Sequence, residues 1–230
     1  MLKAVIFDFD YTLGDSTKGI VLSVNYALEQ LGYKTREMDE IKKTIGLSLK
    51  ATYEVLTASD RMQKGAESLQ DNSQIFAEEA ENFTRFFKEK ADNVMVDNTQ
   101  LYQGVKEALQ ALKAKGYKTA IVTTKFHYRI EQILEKFEAM DLIDLIVGGE
   151  DVKAAKPSPE GLLWAIEQLG VEKEEVLYVG DSLVDAKTAQ NAQVAFAAVT
   201  TGTTGKEEFS QYDCVLVGEG INAVYQYIIA

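Results

Sequence analysis

Two aspartates, Asp8 and Asp10, follow an apolar run with one residue between them, a spacing that suits metal chemistry. The run Ala4-Val5-Ile6 reads as a buried strand, and residues i and i+2 of a strand point to the same side. Two partly buried carboxylates repel each other unless a cation or a shared proton relieves the repulsion. Mg²⁺ suits such a pair because it takes oxygen ligands and keeps positions for water or phosphate. A strand that runs out into a polar turn would place the same residues there without forming a site.

Useful polar side chains also follow later apolar runs of the sequence. Thr123 and Thr124 end one run, Lys156 stands before a proline, and Asp181 ends another run with Asp185 one helical turn later. Each has an ordinary explanation, as a β-branched strand residue, a surface lysine or a helix N-cap. In open α/β sheets, however, ligands bind at the carboxyl ends of the strands. We therefore expect these side chains to surround the first aspartate pair.

The elements that would position these residues alternate between strand and helix. The predicted strands span residues 3–8, 118–123, 142–147, 175–180, 194–199 and 214–217. The predicted helices lie near residues 105–116, 126–137, 159–169 and 183–191. This alternation predicts the α/β fold class, with a doubly wound parallel sheet and helices on both of its faces.

The region of residues 15–98 breaks this alternation. Ile20, Val24 and Leu28 form one helical stripe, and Phe76 and Phe83 belong to another. With no convincing strand in between, the sequence predicts an all-helical insert at 15–98 within a core domain made of residues 1–14 and 99–230.

Composition limits the possible functions. The chain of 230 residues has a formal net charge of -12, which disfavours nucleic acid and anionic membranes as partners. Its single cysteine excludes an intrachain disulfide, and its single histidine leaves carboxylates with a hard metal as the available hydrolytic tools. The N-terminus leads directly into a strand-like run with no signal-peptide pattern, so we expect a cytoplasmic protein. We expect either a monomer or a homodimer. A small phosphorylated metabolite remains a possible partner.

The motifs, taken in order, resemble those of the haloacid dehalogenase-like (HAD) hydrolase superfamily. They are the run from Asp8 to Leu13, Thr123 after a strand, Lys156-Pro157, and Asp181 with Asp185. The residues around these motifs most resemble those of the phosphoglycolate phosphatase-like branch. The resemblance implies a Rossmann-like core with an inserted helical cap, and a Mg²⁺-dependent phosphatase acting on a small phosphomonoester, phosphoglycolate-like or a sugar phosphate.

The resemblance also implies roles for the residues. Asp8 would be the nucleophile that forms an aspartyl-phosphate, and Asp10 would be the general acid and base. Thr123 and Lys156 would bind the transferred phosphoryl group. The expected Mg²⁺ residues are Asp8, Asp10 through its backbone carbonyl, Asp181, and Asp185 as the partner that orients a metal-bound water or Lys156.

Further residues are expected to contact the substrate. Thr124 lies beside Thr123, and Tyr11 stands where the family often has glycine, which predicts an ordinary backbone conformation and a ring that reaches the substrate. Gly46 belongs to a segment that resembles the substrate loop of helical caps. Leu49 stands where related mutases tend to carry an arginine.

Three other functions fit parts of the pattern. A phosphomutase would use the same residues, but Leu49, where mutases tend to carry an arginine, makes a mutase less expected. A receiver-type phosphoacceptor domain would put its aspartate in a middle strand and would lack the long insert. A non-catalytic binding protein would not need the complete set of acids, hydroxyl and lysine. The run from Gly202 to Lys206 lacks the spacing of a phosphate-binding loop and reads as a flexible turn.

Overall fold

The computed structural model of the protein describes residues 1–63 and 73–230. The chain divides into two compact units, one made of residues 1–15 and 100–230 and the other of residues 16–99. The sequence placed the division at residues 14 and 99, and the assignment of the second unit as a substrate cap stays a prediction.

The larger unit contains all the strands found in the described ranges. In chain order they are β1 (Ala4–Phe7), β2 (Gly14–Asp15), β3 (Gln100–Leu101), β4 (Lys118–Val122), β5 (Leu145–Val147), β6 (Val176–Gly180), β7 (Ala195–Val199) and β8 (Cys214–Gly218). Six of them form one sheet in the order β5-β4-β1-β6-β7-β8, and every neighbouring pair in it is parallel. The α/β prediction is therefore confirmed. β1 lies between β4 and β6, which brings three of the predicted polar strand ends side by side.

The helices described in the chain, in order, are α1 (Thr17–Gln30), α2 (Met38–Lys42), α3 (Leu49–Gln63), α4 (Ser73–Val94), α5 (Val105–Ala114), α6 (His127–Lys136), α7 (Glu160–Leu169), α8 (Leu183–Ala192) and α9 (Ile221–Ile229). One predicted strand was too long, because residues 140–142 form a 3₁₀ turn before β5. In the core of the larger unit, β-branched and aromatic strand residues such as Ile6, Tyr178 and Phe196 lie in one buried cluster with Leu162 of α7.

Helices are the regular secondary structure of the smaller unit in its described residues, with turns after α1 and α2. Leu28 of α1 and Phe83 of α4 lie in one buried cluster with Tyr53 of α3. Both predicted apolar stripes therefore face the interior of this unit, as the 3.6-residue period requires. Its α2 and α3 were not anticipated. In neither unit is any described helix long and apolar enough to span a bilayer.

Candidate active site

The end of β1 presents the aspartate pair through a tight turn. The backbone N–H of Asp8 still donates to the carbonyl of Val179 at 2.8 Å, so this residue is fixed to β6. The carbonyl of Phe9 then accepts hydrogen bonds from the backbone nitrogens of the three residues 12–14. Asp8 and Asp10 are both buried, at 2% and 9% exposure. The turn therefore holds two carboxylates in buried positions rather than in solvent.

Tyr11 corrects one expectation about this turn. Its φ angle is 62°, in the left-handed region, whereas the sequence predicted an ordinary backbone. The turn imposes this angle, since the N–H of Tyr11 donates to the carbonyl of Gly14 at 2.8 Å and its own carbonyl accepts from the hydroxyl of Thr201. A residue other than glycine is strained there, and the surrounding hydrogen bonds hold it in place.

A buried lysine joins two of the acids. Nζ of Lys156 lies 3.0 Å from Oδ1 of Asp8 and 2.6 Å from Oδ1 of Asp185. The hydroxyl of Tyr178 donates to the same Oδ1 of Asp185 at 2.9 Å, and Ser182 donates to Oδ2 through its backbone nitrogen and its hydroxyl. The oxygens of Asp185 are thus occupied by protein donors. Of the two tasks predicted for this residue, the geometry favours the orientation of Lys156.

Three carboxylates meet closely enough to hold a metal ion. Among the described residues, oxygens of Asp8, Asp181 and Asp185 lie within 4.8 Å of one another. The side chain of Asp10 is outside this group, and the contribution of its backbone carbonyl stays a prediction. Oδ1 of Asp10 is buried and accepts no hydrogen bond from the described residues, and Oδ1 of Asp8 is buried beside the ammonium of Lys156.

The charge balance also fits a divalent cation. Four buried carboxylates, those of Asp8, Asp10, Asp181 and Asp185, are accompanied by two buried lysine ammonium groups, which leaves a surplus of two negative charges. Hard oxygen donors with a surplus charge of this size match the preferences of Mg²⁺. The residues present therefore fit that ion.

Burial and crowding shift the ionisation of these groups. Burial, with the charges of Asp185 and Asp10, raises the pKa of Asp8 to about 6 against the opposing effect of Lys156. Burial and the charges of Asp185, Asp8 and Asp10 raise the pKa of Asp181 well above its usual value, against the opposing effect of Lys156. Burial alone would lower the pKa of Lys156, but Asp185 and Asp8 outweigh it and raise that pKa. An excess of negative charge in a buried site keeps the lysine charged and makes the acids harder to ionise.

The structure brings Thr123 to the same strand ends and leaves Gly46 in the other unit. Thr123 is buried, and its Oγ1 accepts a hydrogen bond from the backbone nitrogen of Lys125 at 3.3 Å, which leaves the hydroxyl hydrogen to be donated. Thr124, the next residue, is half-buried. Gly46 follows α2 in the smaller unit with a φ angle of 94°, a conformation that glycine adopts readily.

Two residues of the site were missed by the sequence reasoning. Lys125 is buried, and its Nζ lies 3.0 Å from Oδ2 of Asp10. Gly202 packs against Asp181 so closely that a β-carbon on it would overlap Oδ2 of that carboxylate. The first carried a weak signal as a lysine after a polar strand end. The second had none, because only the fold shows that its turn returns to the acids.

Comparison with known proteins agrees with this geometry. The family model for haloacid dehalogenase-like hydrolases matches residues 5–199. A phosphoglycolate phosphatase of Cereibacter sphaeroides is 36% identical over 203 residues, covering 87% of this chain and 86% of that protein. The phosphoglycolate phosphatase of Aquifex aeolicus is 33% identical over 202 residues with the same two coverages.

Solved structures give the same result. A haloacid dehalogenase-like hydrolase from Bacteroides fragilis aligns with a TM-score of 0.86 at 38% identity, covering 97% of this chain and 100% of the other. A phosphoglycolate phosphatase-like protein from Haemophilus somnus aligns with a TM-score of 0.80 at 26% identity, covering 99% and 98% of the two chains. The chain therefore belongs to the haloacid dehalogenase-like hydrolase family, in its phosphoglycolate phosphatase-like branch, and is a hydrolase of phosphoric monoesters.

Proposed function

We propose that this protein is a Mg²⁺-dependent phosphatase that hydrolyses a small phosphomonoester through an aspartyl-phosphate on Asp8. The observation that carries the proposal is the placement of Asp8. Its buried carboxylate lies 3.0 Å from the ammonium of Lys156 and within the group of acids that fits a divalent ion. A carboxylate held there can approach a phosphoryl anion that would otherwise repel it.

In the first step, a carboxylate oxygen of Asp8 attacks phosphorus and the bond from phosphorus to the ester oxygen breaks. Asp10 donates a proton to the departing alcohol oxygen. Its Oδ1 is buried without a hydrogen-bond partner among the described residues, so it is available for this transfer. In the second step, Asp10 removes a proton from water, the water oxygen bonds to phosphorus, and phosphate leaves Asp8 as a free carboxylate.

Lys156 and Thr123 bind the transferred group in this scheme. The ammonium of Lys156 offsets charge on the phosphoryl oxygens, and Asp185 holds that ammonium in position from the opposite side. Thr123 donates its hydroxyl hydrogen to a phosphoryl oxygen. Mg²⁺, held by Asp8, the backbone carbonyl of Asp10 and Asp181, would supply the positive charge that screens the nucleophile from its target.

The substrate follows from the relatives, which carry the name phosphoglycolate phosphatase. Phosphoglycolate is therefore the first candidate, and a small sugar phosphate is the next. We assign the helical unit of residues 16–99 as the cap that selects among them, with Gly46 in its substrate loop and Tyr11 and Thr124 as core residues near the leaving group. Leu49 in place of a basic residue argues against a mutase.

The test is phosphate release from a panel of small phosphomonoesters, with Mg²⁺ and with a chelator, for the wild type and Asp8→Asn. We expect Mg²⁺-dependent release that the variant loses by at least about a thousandfold. Equal release from both proteins would contradict the assignment of Asp8. Release that a chelator leaves unchanged would contradict the metal.

A further inference from the structure

Lys125 is a buried cation with spare hydrogen-bonding capacity. Its side chain is 5% exposed, and Asp10, through Oδ2 at 3.0 Å, is the carboxylate that pairs with it among the described residues. An ammonium group has three N–H donors, and a buried charge is costly when its donors are unmet. Lys156, in contrast, lies between two carboxylates and a tyrosine hydroxyl. Lys125 therefore has room for a second anionic partner.

The backbone around Lys125 is fixed by its neighbours. Its carbonyl accepts from the N–H of Gly149 at 3.0 Å, and its own N–H donates to Oγ1 of Thr123 at 3.3 Å. A β-carbon on Gly149 would lie 2.5 Å from the carbonyl oxygen of Thr124, so this turn packs tightly. The ammonium of Lys125 is thus held by the same turn that carries the phosphoryl-binding threonine.

Distances around Asp10 define what Lys125 can reach. A general acid lies about 2.6–3.2 Å from the oxygen that it protonates. If Oδ1 of Asp10 contacts the ester oxygen while Oδ2 stays paired with the ammonium of Lys125, that ammonium lies about 6 Å from the ester oxygen. A carboxylate bonded directly to the ester carbon extends about 3 Å from the ester oxygen, which leaves one hydrogen-bond length to the ammonium.

We propose that Lys125 selects the leaving group, favouring phosphate esters of small 2-hydroxy acids over esters of neutral alcohols of the same size. The inference rests on the proposed function, since it takes Asp10 as the general acid. The carboxylate of the leaving group would meet the unused donors of Lys125. A neutral leaving group would leave those donors of a buried ammonium without an anionic partner, and that difference is the source of the selectivity.

The test compares two esters within each protein, 2-phosphoglycolate and 2-hydroxyethyl phosphate, which differ in the charge next to the ester. Lys125→Met removes the charge at similar length, Lys125→Arg keeps it, and Lys115→Met removes an exposed lysine as the control. We expect the wild type to prefer phosphoglycolate in kcat/KM. Lys125→Met should reduce that preference by about tenfold to a hundredfold, and Lys125→Arg should retain most of it.

The ratio separates selection from general damage. If Lys125 acts only by holding Asp10, Lys125→Met lowers both rates equally, the ratio is unchanged, and the inference is overturned while the phosphatase stands. The inference is also overturned, while the phosphatase stands, if the wild type releases phosphate from other esters without preferring the carboxylated one. No release from any ester overturns the proposed function, and the inference fails with it.

A binding measurement covers the case in which Lys125→Met is inactive. Calorimetry with the Asp8→Asn protein, which cannot turn over, compares its affinity for the two esters with that of the Asp8→Asn, Lys125→Met double variant. We expect the affinity for phosphoglycolate to fall by about tenfold or more in the double variant while that for hydroxyethyl phosphate changes little. Equal losses for both esters would overturn the inference.

Discussion

Nζ of Lys156 lies 2.6 Å from Oδ1 of Asp185, and the side chains of both residues are almost completely buried. The pair joins α8, which carries the acid, to the segment before α7, which carries the lysine. Its position is therefore set by two separate stretches of chain. In the proposed mechanism, this pairing keeps the ammonium of Lys156 directed toward the phosphoryl group.

Asp185→Asn should lower kcat by about tenfold to a hundredfold, because Lys156 loses the partner that orients it. The free energy of unfolding should also fall, by about 1–3 kcal/mol, since a buried charge loses one of its two counter-charges. Steady-state kinetics and denaturant unfolding measure the two effects. Asp213→Asn changes an exposed acid and serves as the matched control. An unchanged kcat in Asp185→Asn would remove this residue from the catalytic arrangement.

Asp10→Asn should slow alkyl phosphates far more than p-nitrophenyl phosphate in the first step. The nitrophenolate leaves without a proton, so loss of the acid matters less for it. The second step still lacks its base, so the phosphoenzyme should accumulate with the nitrophenyl ester. Rapid-quench experiments that detect the phosphoenzyme by radiolabel or by mass measure this accumulation. Equal slowing of both esters with no accumulated phosphoenzyme would argue that Asp10 is not the acid and base.

Protein stability without metal should fall as pH rises from about 4 to 6. The pKa of Asp8 is raised from 3.8 to about 6 in the folded protein, so in this window the folded state holds more protons than the unfolded state. The free energy of unfolding then decreases with pH, by up to roughly 3 kcal/mol. The proposed Mg²⁺ site requires the ionised acids, so the ion should raise the Tm more at about pH 8 than at about pH 5. Thermal unfolding with Mg²⁺ or a chelator checks this, and an equal shift at both pH values would contradict it.

Gly202→Ala should weaken Mg²⁺ binding by tenfold or more, because a β-carbon at this position would overlap Oδ2 of Asp181 and force that carboxylate aside. Gly205→Ala is the matched control in the same segment, since its β-carbon would meet nothing nearer than an oxygen of Glu208 at 3.5 Å. Calorimetric titration with Mg²⁺ gives the affinity directly. If both variants bind the ion as the wild type does, Gly202 does not position the acid.

Much of this arrangement was predictable because it depends on strand ends. Short apolar runs predict parallel strands, and in such a sheet the polar residues that follow neighbouring strands must lie at one edge. The sequence therefore predicts Asp8, Thr123 and Asp181 at one edge, and the structure brings them side by side because β1 lies between β4 and β6. The residue type and spacing of the acids are enough to identify them as candidates.

The remaining features depend on contacts between distant parts of the chain. Tyr11 adopts a positive φ because Thr201 and the turn hold it there, and no local preference of tyrosine predicts that. The sequence shows a lysine at position 125 but not the burial of its ammonium. Likewise, the turn at Gly202 reads as flexible from its composition, whereas the fold presses it against Asp181.

The antiparallel pair of β2 and β3 has a consequence for how the core tolerates its insert. Asp15 pairs with Gln100 and Gly14 with Leu101, so the chain leaves and re-enters the larger unit at neighbouring positions. For the sheet, the whole excursion of residues 16–99 closes as a hairpin connection does, whatever its length. A two-residue turn joining Asp15 to Gln100 has the geometry to replace it, and such a replacement would test whether the larger unit folds without the helices.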